Sequence, residues 1–325
     1  MQKLNVAWWN LENLFDHELA QRPPELKSML KSELKGWTAE IRDRKIAQLA
    51  SIIHLMFDNQ GPALLGISEV ENEQVVAMLA DAIDLPDRSY AVVAHESPDA
   101  RGIDTSFIID TNALTVLSSN HQVIIKRTAT RDIFWLRLQC NVSGAEFVAI
   151  ANHWPARSSG QYKSEPFRML TGETLAYIVA SLLDENHGGD KHLPIISMGD
   201  FNDEPFHRSM TEYLLGTRDP ARVRYSKSGH LLNLMWPLMQ GHDPGTYLYG
   251  SDWNMLDQYL VSYGMLRNDS PVRVDQDSVA IFRPDILKGT SSRPRKFSRP
   301  STKGGADLDG YSDHFPIVAQ LDVVT

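Results

Sequence analysis

The sequence predicts an α/β fold built on a mixed sheet system. Short apolar segments with the composition of strands alternate with helical segments, which is the α/β pattern. The strand-like segments between residues 90 and 152 follow one another without helices, so part of the sheet system is expected to be an antiparallel meander. No G-x-G-x-x-G or P-loop pattern occurs, and a simple Rossmann order is therefore not expected.

The predicted strands are apolar segments rich in β-branched residues and bounded by turn-forming residues. They cover residues 4–9, 63–68, 90–95, 104–110, 113–118, 133–140, 146–153, 193–199, 255–262 and 314–323. So many strands exceed what one small sheet needs.

Apolar residues at helical spacing predict helices over residues 40–57, 73–83 and 167–186. In the first of these, apolar residues recur at intervals of three, four and four residues from Ile46 to Phe57. Such one-sided helices are expected to cover the faces of a sheet. The segments 17–38 and 283–310 are more polar and are predicted to be long loops, and no interdomain linker is evident, so a single domain over residues 1–325 is expected.

The composition is that of an ordinary globular protein, with 42% hydrophobic and 22% charged residues in 325. The net charge of -9 argues against a protein that coats nucleic acid with its whole surface, but it permits a local basic patch. The single cysteine, Cys140, excludes an internal disulfide and is expected to be a small buried hydrophobe. The first residues contain neither a signal peptide nor a membrane span, which leads us to expect a cytoplasmic monomer.

The segment "SMGDFNDEP", residues 197–205, places two polar residues at the end of a predicted buried strand. Side chains two apart on extended backbone point the same way, so Asp200 and Asn202 are expected to face one pocket while Phe201 turns into the core. Asp and Asn also satisfy backbone groups in turns, so a purely local capping role is the alternative.

Polar residues follow several other predicted strands in the same manner. Taken singly, each has an ordinary structural explanation, such as a cap, a solvated turn or a buried histidine. Independent caps give no reason for hard oxygen ligands, amides and two histidines to recur at successive strand ends, so together these residues predict one site. They are Asn10, Glu12, Asn13, Glu69, Glu71, Arg101, Asp104, Asn152, His153, Asp257, Ser312, Asp313 and His314.

In these motifs the chain resembles the endonuclease/exonuclease/phosphatase superfamily, which has the fold of deoxyribonuclease I. The segments "WNLEN", "ISEVEN", "NHWP", "GDFND", "LDQYLVS" and "SDHFP" match the motifs of that family in identity and order, over essentially the whole length. The resemblance implies a four-layer α/β/β/α sandwich in which two mixed sheets pack face to face, with the site at the strand ends between them.

Carboxylates without cysteine partners favour a hard cation, Mg²⁺ or Mn²⁺, over zinc. By the resemblance, Glu69 is the principal metal ligand, and we expect Glu12 and Asp313 to be auxiliary ligands. We predict that Asp200 is the general base and that Asn10 and Asn202 orient it.

The two histidines receive different predicted roles. His314 would donate to the phosphate, with Asp257 as the carboxylate that pairs with it in the family. His153 would protonate the leaving group, with Asp104 as its candidate partner. Asn152 and Arg157 complete the expected substrate-binding groups, Arg157 toward a terminal phosphate.

A divalent-metal-dependent phosphoesterase acting on nucleic acid is the predicted function. Residues 283–303 support the substrate class, because seven basic residues and one acid give this stretch a net charge of +6 and leave -15 on the rest of the chain. Two alternatives remain open at this level: hydrolysis of a lipid headgroup or other small phosphoester, and a binding scaffold without catalysis.

Overall fold

Two mixed β-sheets form the centre of the chain in a computed structural model, which describes residues 1–99, 101–158, 160–226 and 229–324. The first sheet has the strand order β14-β15-β1-β2-β4-β3, in which only the pair β1 and β2 is parallel. Its strands are β1 (Gln2–Leu14), β2 (Leu64–Val70), β3 (Tyr90–Ala94), β4 (Asp104–Asp110), β14 (Val272–Ile281) and β15 (Ile317–Val323).

The second sheet has the order β5-β6-β7-β8-β13-β10-β9, in which β7 pairs with β8 and β9 with β10 in parallel. Its strands are β5 (Leu114–Gln122), β6 (Ile133–Cys140), β7 (Glu146–His153), β8 (Ile195–Asp200), β9 (Gly216–Thr217), β10 (Leu231–Asn233) and β13 (Asp257–Val261). A separate two-stranded ribbon consists of β11 (Tyr247–Tyr249) and β12 (Asp252–Asn254).

Three helices lie on the outer faces of the sheets: α2 (Ala39–Asn59) and α3 (Glu73–Ala82) on the first sheet and α4 (Gln161–Leu183) on the second. Two shorter helices, α1 (Pro24–Leu30) and α5 (Pro220–Tyr225), pack elsewhere, since Leu30 belongs to a small separate cluster and Val223 to the core between the sheets. The side chain of Thr38 caps α2 by accepting from the Ile41 amide, and Asn72 caps α3 in the same way for Val75. Within the described residues, no helix is long and apolar enough to cross a membrane.

The alternation of side chains along β1 explains the layering. Val6 and Trp8 point into the apolar core between the sheets, together with Met198 of the second sheet. Ala7 and Trp9 point the other way, into a second core beneath α2 and α3. A third core lies between the second sheet and α4. The order of layers is therefore helix, sheet, sheet, helix, and the predicted four-layer sandwich is confirmed.

Hydrogen bonds from side chains also cross from one sheet to the other. The indole Nε1 of Trp8 donates to Asp257 Oδ1 at 2.9 Å, and the Asn10 amide donates to Asp200 Oδ2 at 3.0 Å. The hydroxyl of Tyr259 donates to the carbonyl of Ile317 at 2.9 Å. Trp8 and Asn10 belong to the first sheet, whereas Asp200, Asp257 and Tyr259 belong to the second. The relative position of the two sheets is thus fixed by polar contacts as well as by the core.

All ten predicted strands and all three predicted helices occur; β4, β6 and β7 have the predicted bounds, and the others have shifted ends. The predicted antiparallel meander between residues 90 and 152 is confirmed but divided, since β3 and β4 pair in the first sheet and β5 to β7 in the second. The sequence patterns did not indicate β14 and the short strands β9 to β12, nor α1, which lies inside the predicted loop 17–38. Cys140 is buried, as expected.

Candidate active site

A cleft of about 550 Å³ opens where β2, β7 and β8 end. Seven of the predicted site residues form part of its wall, together with residues that were not predicted. The wall consists of Glu69, His153, Ala156, Arg157, Ser158, Gly160, Gln161, Asp200, Asn202, Tyr247, Tyr249, Asn254, Leu256, Asp313 and His314.

Asp200 lies at the end of β8, with both carboxylate oxygens held by hydrogen bonds. Its Oδ2 accepts from the Asn10 side chain at 3.0 Å, and its Oδ1 accepts from the backbone amide of Asn202 at 2.9 Å. Burial raises the pKa of Asp200 to about 6, with the nearby Asp257 adding to the effect and His314 opposing it. The local cap and the shared pocket are therefore both present, and Phe201 is buried as predicted.

His314 and Asp257 form a hydrogen-bonded pair beside Asp200. His314 Nδ1 lies 2.7 Å from Asp257 Oδ2, and Asp257 also accepts from the Trp8 indole and from the Thr246 hydroxyl. Burial alone would lower the pKa of His314, but the charge and hydrogen bond of Asp257, helped by Asp200, raise it well above its ordinary value. Its Nε2 lies 4.0 Å from Asp200 Oδ2, so an imidazolium faces a carboxylate across the cleft floor.

His153 has the opposite electrostatic character. Burial, with the positive charges of Arg131, Arg101 and His314, lowers its pKa well below the ordinary value, so this imidazole is neutral near pH 7. Its Nε2 lies 3.7 Å from Glu69 Oε1 and 3.8 Å from Asp200 Oδ2, while Nδ1 is buried and finds no hydrogen-bond partner in the described part of the chain.

The expected pair of His153 and Asp104 is not formed in the part of the chain that the structure describes. Asp104 Oδ1 instead accepts from the backbone amide and the hydroxyl of Ser97, which lies seven residues earlier in the loop after β3. Burial raises the pKa of Asp104 to about 7 despite these bonds. Asp104 lines a separate cavity with Arg22 and Glu71, and it is not part of the cleft wall.

Glu69 and Asp313 supply two carboxylates to the cleft. Burial raises the pKa of Asp313, and Glu69 adds to this effect, whereas His314 and Lys45 oppose it. Lys45 of α2 is fully buried, and its ammonium donates to the backbone carbonyl of Glu12. The carboxylate oxygens of these two residues fit a hard divalent ion, and no thiolate lines the described part of the cleft wall.

The carboxylate of Glu12 is occupied by backbone amides. Its Oε2 accepts from the amide of Phe297 at 2.8 Å and its Oε1 from the amide of Ser298 at 3.1 Å. Burial and the charge of Asp313 raise its pKa to about 7. Glu12 therefore anchors the 297–298 segment beside the site, and any contact of its oxygens with a metal would have to be shared with these amides.

The two remaining predicted substrate-binding residues differ in accessibility. Asn152 is fully buried, and its amide donates to Ser197 Oγ and Met198 O while its Oδ1 accepts from Trp154, so it braces β7 against β8 and is not available to substrate. Arg157 lies in the cleft wall, held by the Asn202 carbonyl at 2.6 Å and by Asn254 Oδ1 at 3.0 Å.

A sequence model of the endonuclease/exonuclease/phosphatase family matches residues 5–323. The chain belongs to this family. Members of the family are hydrolases that act on phosphoester bonds and generally use divalent metals, so the protein is an enzyme of this class. A search of curated protein sequences finds no match.

Solved structures share the family fold at low sequence identity. A D. rerio TDP2 humanized by 14 mutations has a TM-score of 0.59 and 15% identity, with 99% of each chain covered. The mannosyl-6-phosphatase Bt3783 of Bacteroides thetaiotaomicron has a TM-score of 0.56 and 18% identity, with 98% of this chain and 99% of that chain covered. The human Nocturnin catalytic domain with bound sulfate has a TM-score of 0.51 and 17% identity, with 99% of this chain and 95% of that chain covered.

Several site residues of this family member were not predicted from the sequence. Trp8 and Thr246 hold Asp257, and Tyr247 lies against His314 with ring centroids 4.7 Å apart. Burial raises the pKa of Tyr247 to about 12, so its hydroxyl stays protonated in the cleft. The aromatic residues in "GTYLYGSDWN" were the available signal, but strands of three residues leave no periodicity to detect.

The backbone is strained at three of the predicted site residues. Glu12, Glu69 and Asn202 have φ values of 52°, 62° and 51°, in the left-handed region that non-glycine residues rarely adopt. Such outliers cluster at functional sites, where the surrounding structure holds them in place. At Glu12 and Glu69 these values coincide with register shifts near the ends of β1 and β2.

The basic segment 283–303 is tied to the protein rather than free in solution. Arg295 pairs with Asp307, Arg299 with Glu33, and Lys288 with Asp285. Across the described ranges of the chain, the remaining basic residues of the segment include three for which neither an ion pair nor a cation–π contact is found. They are Arg293, Lys296 and Lys303.

Proposed function

We propose that the chain is a metal-dependent phosphodiesterase whose substrate is nucleic acid. The observation that carries the chemistry is the floor of the cleft, where the imidazolium of His314 lies 4.0 Å from the carboxylate of Asp200. Glu69 and Asp313 stand in the same cleft wall. This arrangement combines a base, a cationic donor and oxygen ligands, which are the three elements that phosphoester hydrolysis requires.

Mg²⁺ or Mn²⁺ is the proposed cofactor, held by Glu69 as principal ligand and by Asp313. When bound, such an ion neutralises phosphate charge and polarises the P–O bond. Mg²⁺ retains several waters and needs only one or two carboxylates, which suits two acidic side chains in an open cleft. Lys45 balances part of the negative charge beneath them from the protein side.

Asp200 is the proposed general base. Its raised pKa, about 6, leaves it mostly ionised at neutral pH yet basic enough to take a proton from water. Hydrogen bonds from Asn10 and from the Asn202 amide fix the direction of both oxygens, so the proton is accepted at a defined position.

The two histidines are suited to different tasks. His314, cationic and oriented by Asp257, donates a charge-assisted hydrogen bond to a phosphate oxygen. His153 is neutral, and its Nε2 faces Glu69 and Asp200, so it is placed to donate one N–H to the leaving oxygen or a phosphate oxygen. A neutral imidazole that gave up its only N–H proton would become a strongly basic imidazolate, so the proposed role of His153 is hydrogen-bond donation and not protonation of the leaving group.

Nucleic acid is favoured as substrate by the basic segment 283–303. This segment carries a net charge of +6, and Glu12 anchors its residues 297 and 298 next to the site. A polyanionic backbone that enters the cleft would therefore pass near concentrated positive charge.

A small phosphomonoester is the second candidate, favoured by Arg157. One of its guanidinium nitrogens, Nη2, is buried and has no hydrogen-bond partner within the described ranges, and the cleft has the volume of a small-ligand site at about 550 Å³. A guanidinium fixed in this way matches the oxygens of a terminal phosphate. A phosphatase occurs among the structural neighbours, since the Bacteroides mannosyl-6-phosphatase has a similar fold.

The proposal is tested by a substrate panel measured with and without chelator. We expect hydrolysis of single-stranded or duplex polynucleotide, its loss in excess EDTA and its recovery with Mg²⁺ or Mn²⁺. Glu69→Ala should weaken metal binding in calorimetry while the protein stays folded. Full activity in excess chelator would refute the metal dependence, and hydrolysis of phosphomonoesters without cleavage of any polynucleotide would favour the second candidate.

A further inference from the structure

Three metal-ligating side chains converge at the edge of the sandwich, apart from the cleft wall. His95 follows β3 of the first sheet, His121 lies near the end of β5, and Asp132 immediately precedes β6 of the second sheet. One ligand atom of each lies within 4.8 Å of the other two. In the described ranges of the chain, this is the only group of three or more His, Cys, Asp or Glu residues that meets this spacing.

The geometry of the cluster is specific. His95 Nε2 lies 2.8 Å from Asp132 Oδ2, and the rings of His95 and His121 stack with centroids 3.9 Å apart and planes inclined by 22°. The ring of Phe134 stacks against His95 from the core. Each imidazole carries ring nitrogens of the kind that bind transition metals, and the stacking holds the two rings side by side next to the Asp132 carboxylate.

A second observation points to a ligand. The Asp132 side chain is 2% exposed, and its Oδ1 is buried with no hydrogen-bond partner among the residues that the structure describes. The neighbouring guanidinium of Arg131 does not satisfy it, because that group binds Asp99 and the carbonyls of His153 and Trp154. A buried carboxylate oxygen without a donor is costly, and a bound cation would remove this cost.

We propose that His95, His121 and Asp132 form a site for a divalent transition-metal ion of the Zn²⁺ class. Two imidazole nitrogens and one carboxylate oxygen are a donor set that Zn²⁺ accepts, with water at the fourth position. Ligand atoms must approach more closely than 4.8 Å to share an ion at bond lengths of about 2.0–2.2 Å. His121 is exposed on an edge strand, so its side chain can make this adjustment.

The site would join the edges of the two sheets. His95 extends from β3, the edge strand of the first sheet, whereas His121 and Asp132 belong to β5 and to the approach to β6. Because the three ligands come together only when the chain folds, the metal would bind the folded state more tightly than the unfolded state and would stabilise it. It is also distinct from the proposed magnesium position, whose proposed ligands are the carboxylates of Glu69 and Asp313 in the cleft.

The test is Zn²⁺ binding to tag-free protein in excess Mg²⁺, which occupies the oxygen-donor position. Competition with a chromogenic chelator should give one Zn²⁺ per chain, and Zn²⁺ should raise the melting temperature. His121→Ala, which alters an exposed side chain, should weaken binding by roughly 10- to 100-fold and abolish the shift in melting temperature. Asp132→Asn should have the same effect on affinity.

Two matched variants serve as controls. His242→Ala removes an exposed histidine elsewhere and should leave Zn²⁺ affinity unchanged, and Glu69→Ala should leave it unchanged because the cleft is not involved. Equal affinity in the wild type and His121→Ala would overturn the proposal. Loss of the bound Zn²⁺ in Glu69→Ala with retention in His121→Ala would also overturn it, by assigning the ion to the cleft.

Discussion

Replacing Asp257 by asparagine tests the pair that keeps His314 charged. Asp257 Oδ1 accepts from Trp8, and Oδ2 accepts from Thr246 and lies 2.7 Å from His314 Nδ1. An asparagine of the same shape can keep the acceptor toward Trp8 only by turning its NH₂ toward His314. The imidazole must then accept at Nδ1, which requires the neutral tautomer.

The expected loss follows from the kind of bond that is removed. A hydrogen bond to a charged group contributes about 1.5–3 kcal/mol, and about 1.36 kcal/mol corresponds to a tenfold change in rate. If the bond acts fully in the transition state, kcat at pH 7 should fall about 10- to 150-fold. Because Asp257 raises the pKa of His314, its removal should also move the alkaline limb of the pH–rate profile to lower pH.

The assay is the pH dependence of kcat on a chromogenic phosphodiester, with Asp252→Asn as control. Asp252 is an exposed aspartate on β12, so the same chemical change there should leave both kcat and the profile unaltered. Circular dichroism and the melting temperature establish that the variant is folded. Activity within twofold of the wild type and an unmoved alkaline limb in Asp257→Asn would refute the role given to this pair.

Asp200→Asn should lower kcat by about 10²–10⁴-fold, and His153→Ala, which removes one hydrogen-bond donor, by about 10²–10³-fold, with smaller changes in KM. Near-normal turnover in either variant would contradict the role given to that residue. Lys45→Met should lower the free energy of unfolding, measured in urea, by about 3–5 kcal/mol, because it leaves buried carboxylates without their counter-charge. An unchanged urea midpoint would argue against Lys45 as that counter-charge. Within the described structure, Arg293, Lys296 and Lys303 of segment 283–303 have no ion pair. Their joint replacement by alanine should reduce the slope of log K for polynucleotide binding against log salt concentration by roughly 0.7 for each phosphate that is no longer neutralised. As a control, Lys288→Ala, which removes an ion-paired lysine, should leave the slope unchanged. Equal slopes in the triple variant and the wild type would indicate that the segment does not bind the nucleic-acid backbone.

Local sequence patterns predicted those site residues that lie at the end of a strand. Asp200 ends a buried strand and Asn202 follows it in a left-handed conformation, yet both line the cleft while Phe201 is buried, as the period of two predicted. The ends of neighbouring strands then bring His153 opposite Asp200 and Asp257 opposite the same residue in register. Strand-end position is a local property, so it can be inferred without a structure.

The choice of partner could not be inferred in the same way. Asp104 and His153 both occupy strand ends, but the hydroxyl and amide of Ser97, seven residues away, satisfy Asp104 first. Trp8 and Lys45 were missed because their polar ends act across layers, and an apolar or helical pattern in sequence records only the face on which a residue lies. Glu12 was expected to bind metal, yet its capping of Phe297 and Ser298 depends on a loop 285 residues later.

Because hydrogen bonds run from one sheet to the other, a substitution in the interior of the sandwich can change catalysis as well as stability. A Cβ added at Gly66, in β2, would lie 2.6 Å from Trp8 Cε3 and 2.9 Å from Met198 Sδ, so even alanine there would displace the indole that holds Asp257. Inner residues of such a protein cannot exchange volume as freely as those of a core that only excludes water. Whether a substitution there is tolerated should depend on whether it preserves the position of the Asp257 carboxylate. When heating moves the two sheets apart, the turnover rate should fall before the protein unfolds.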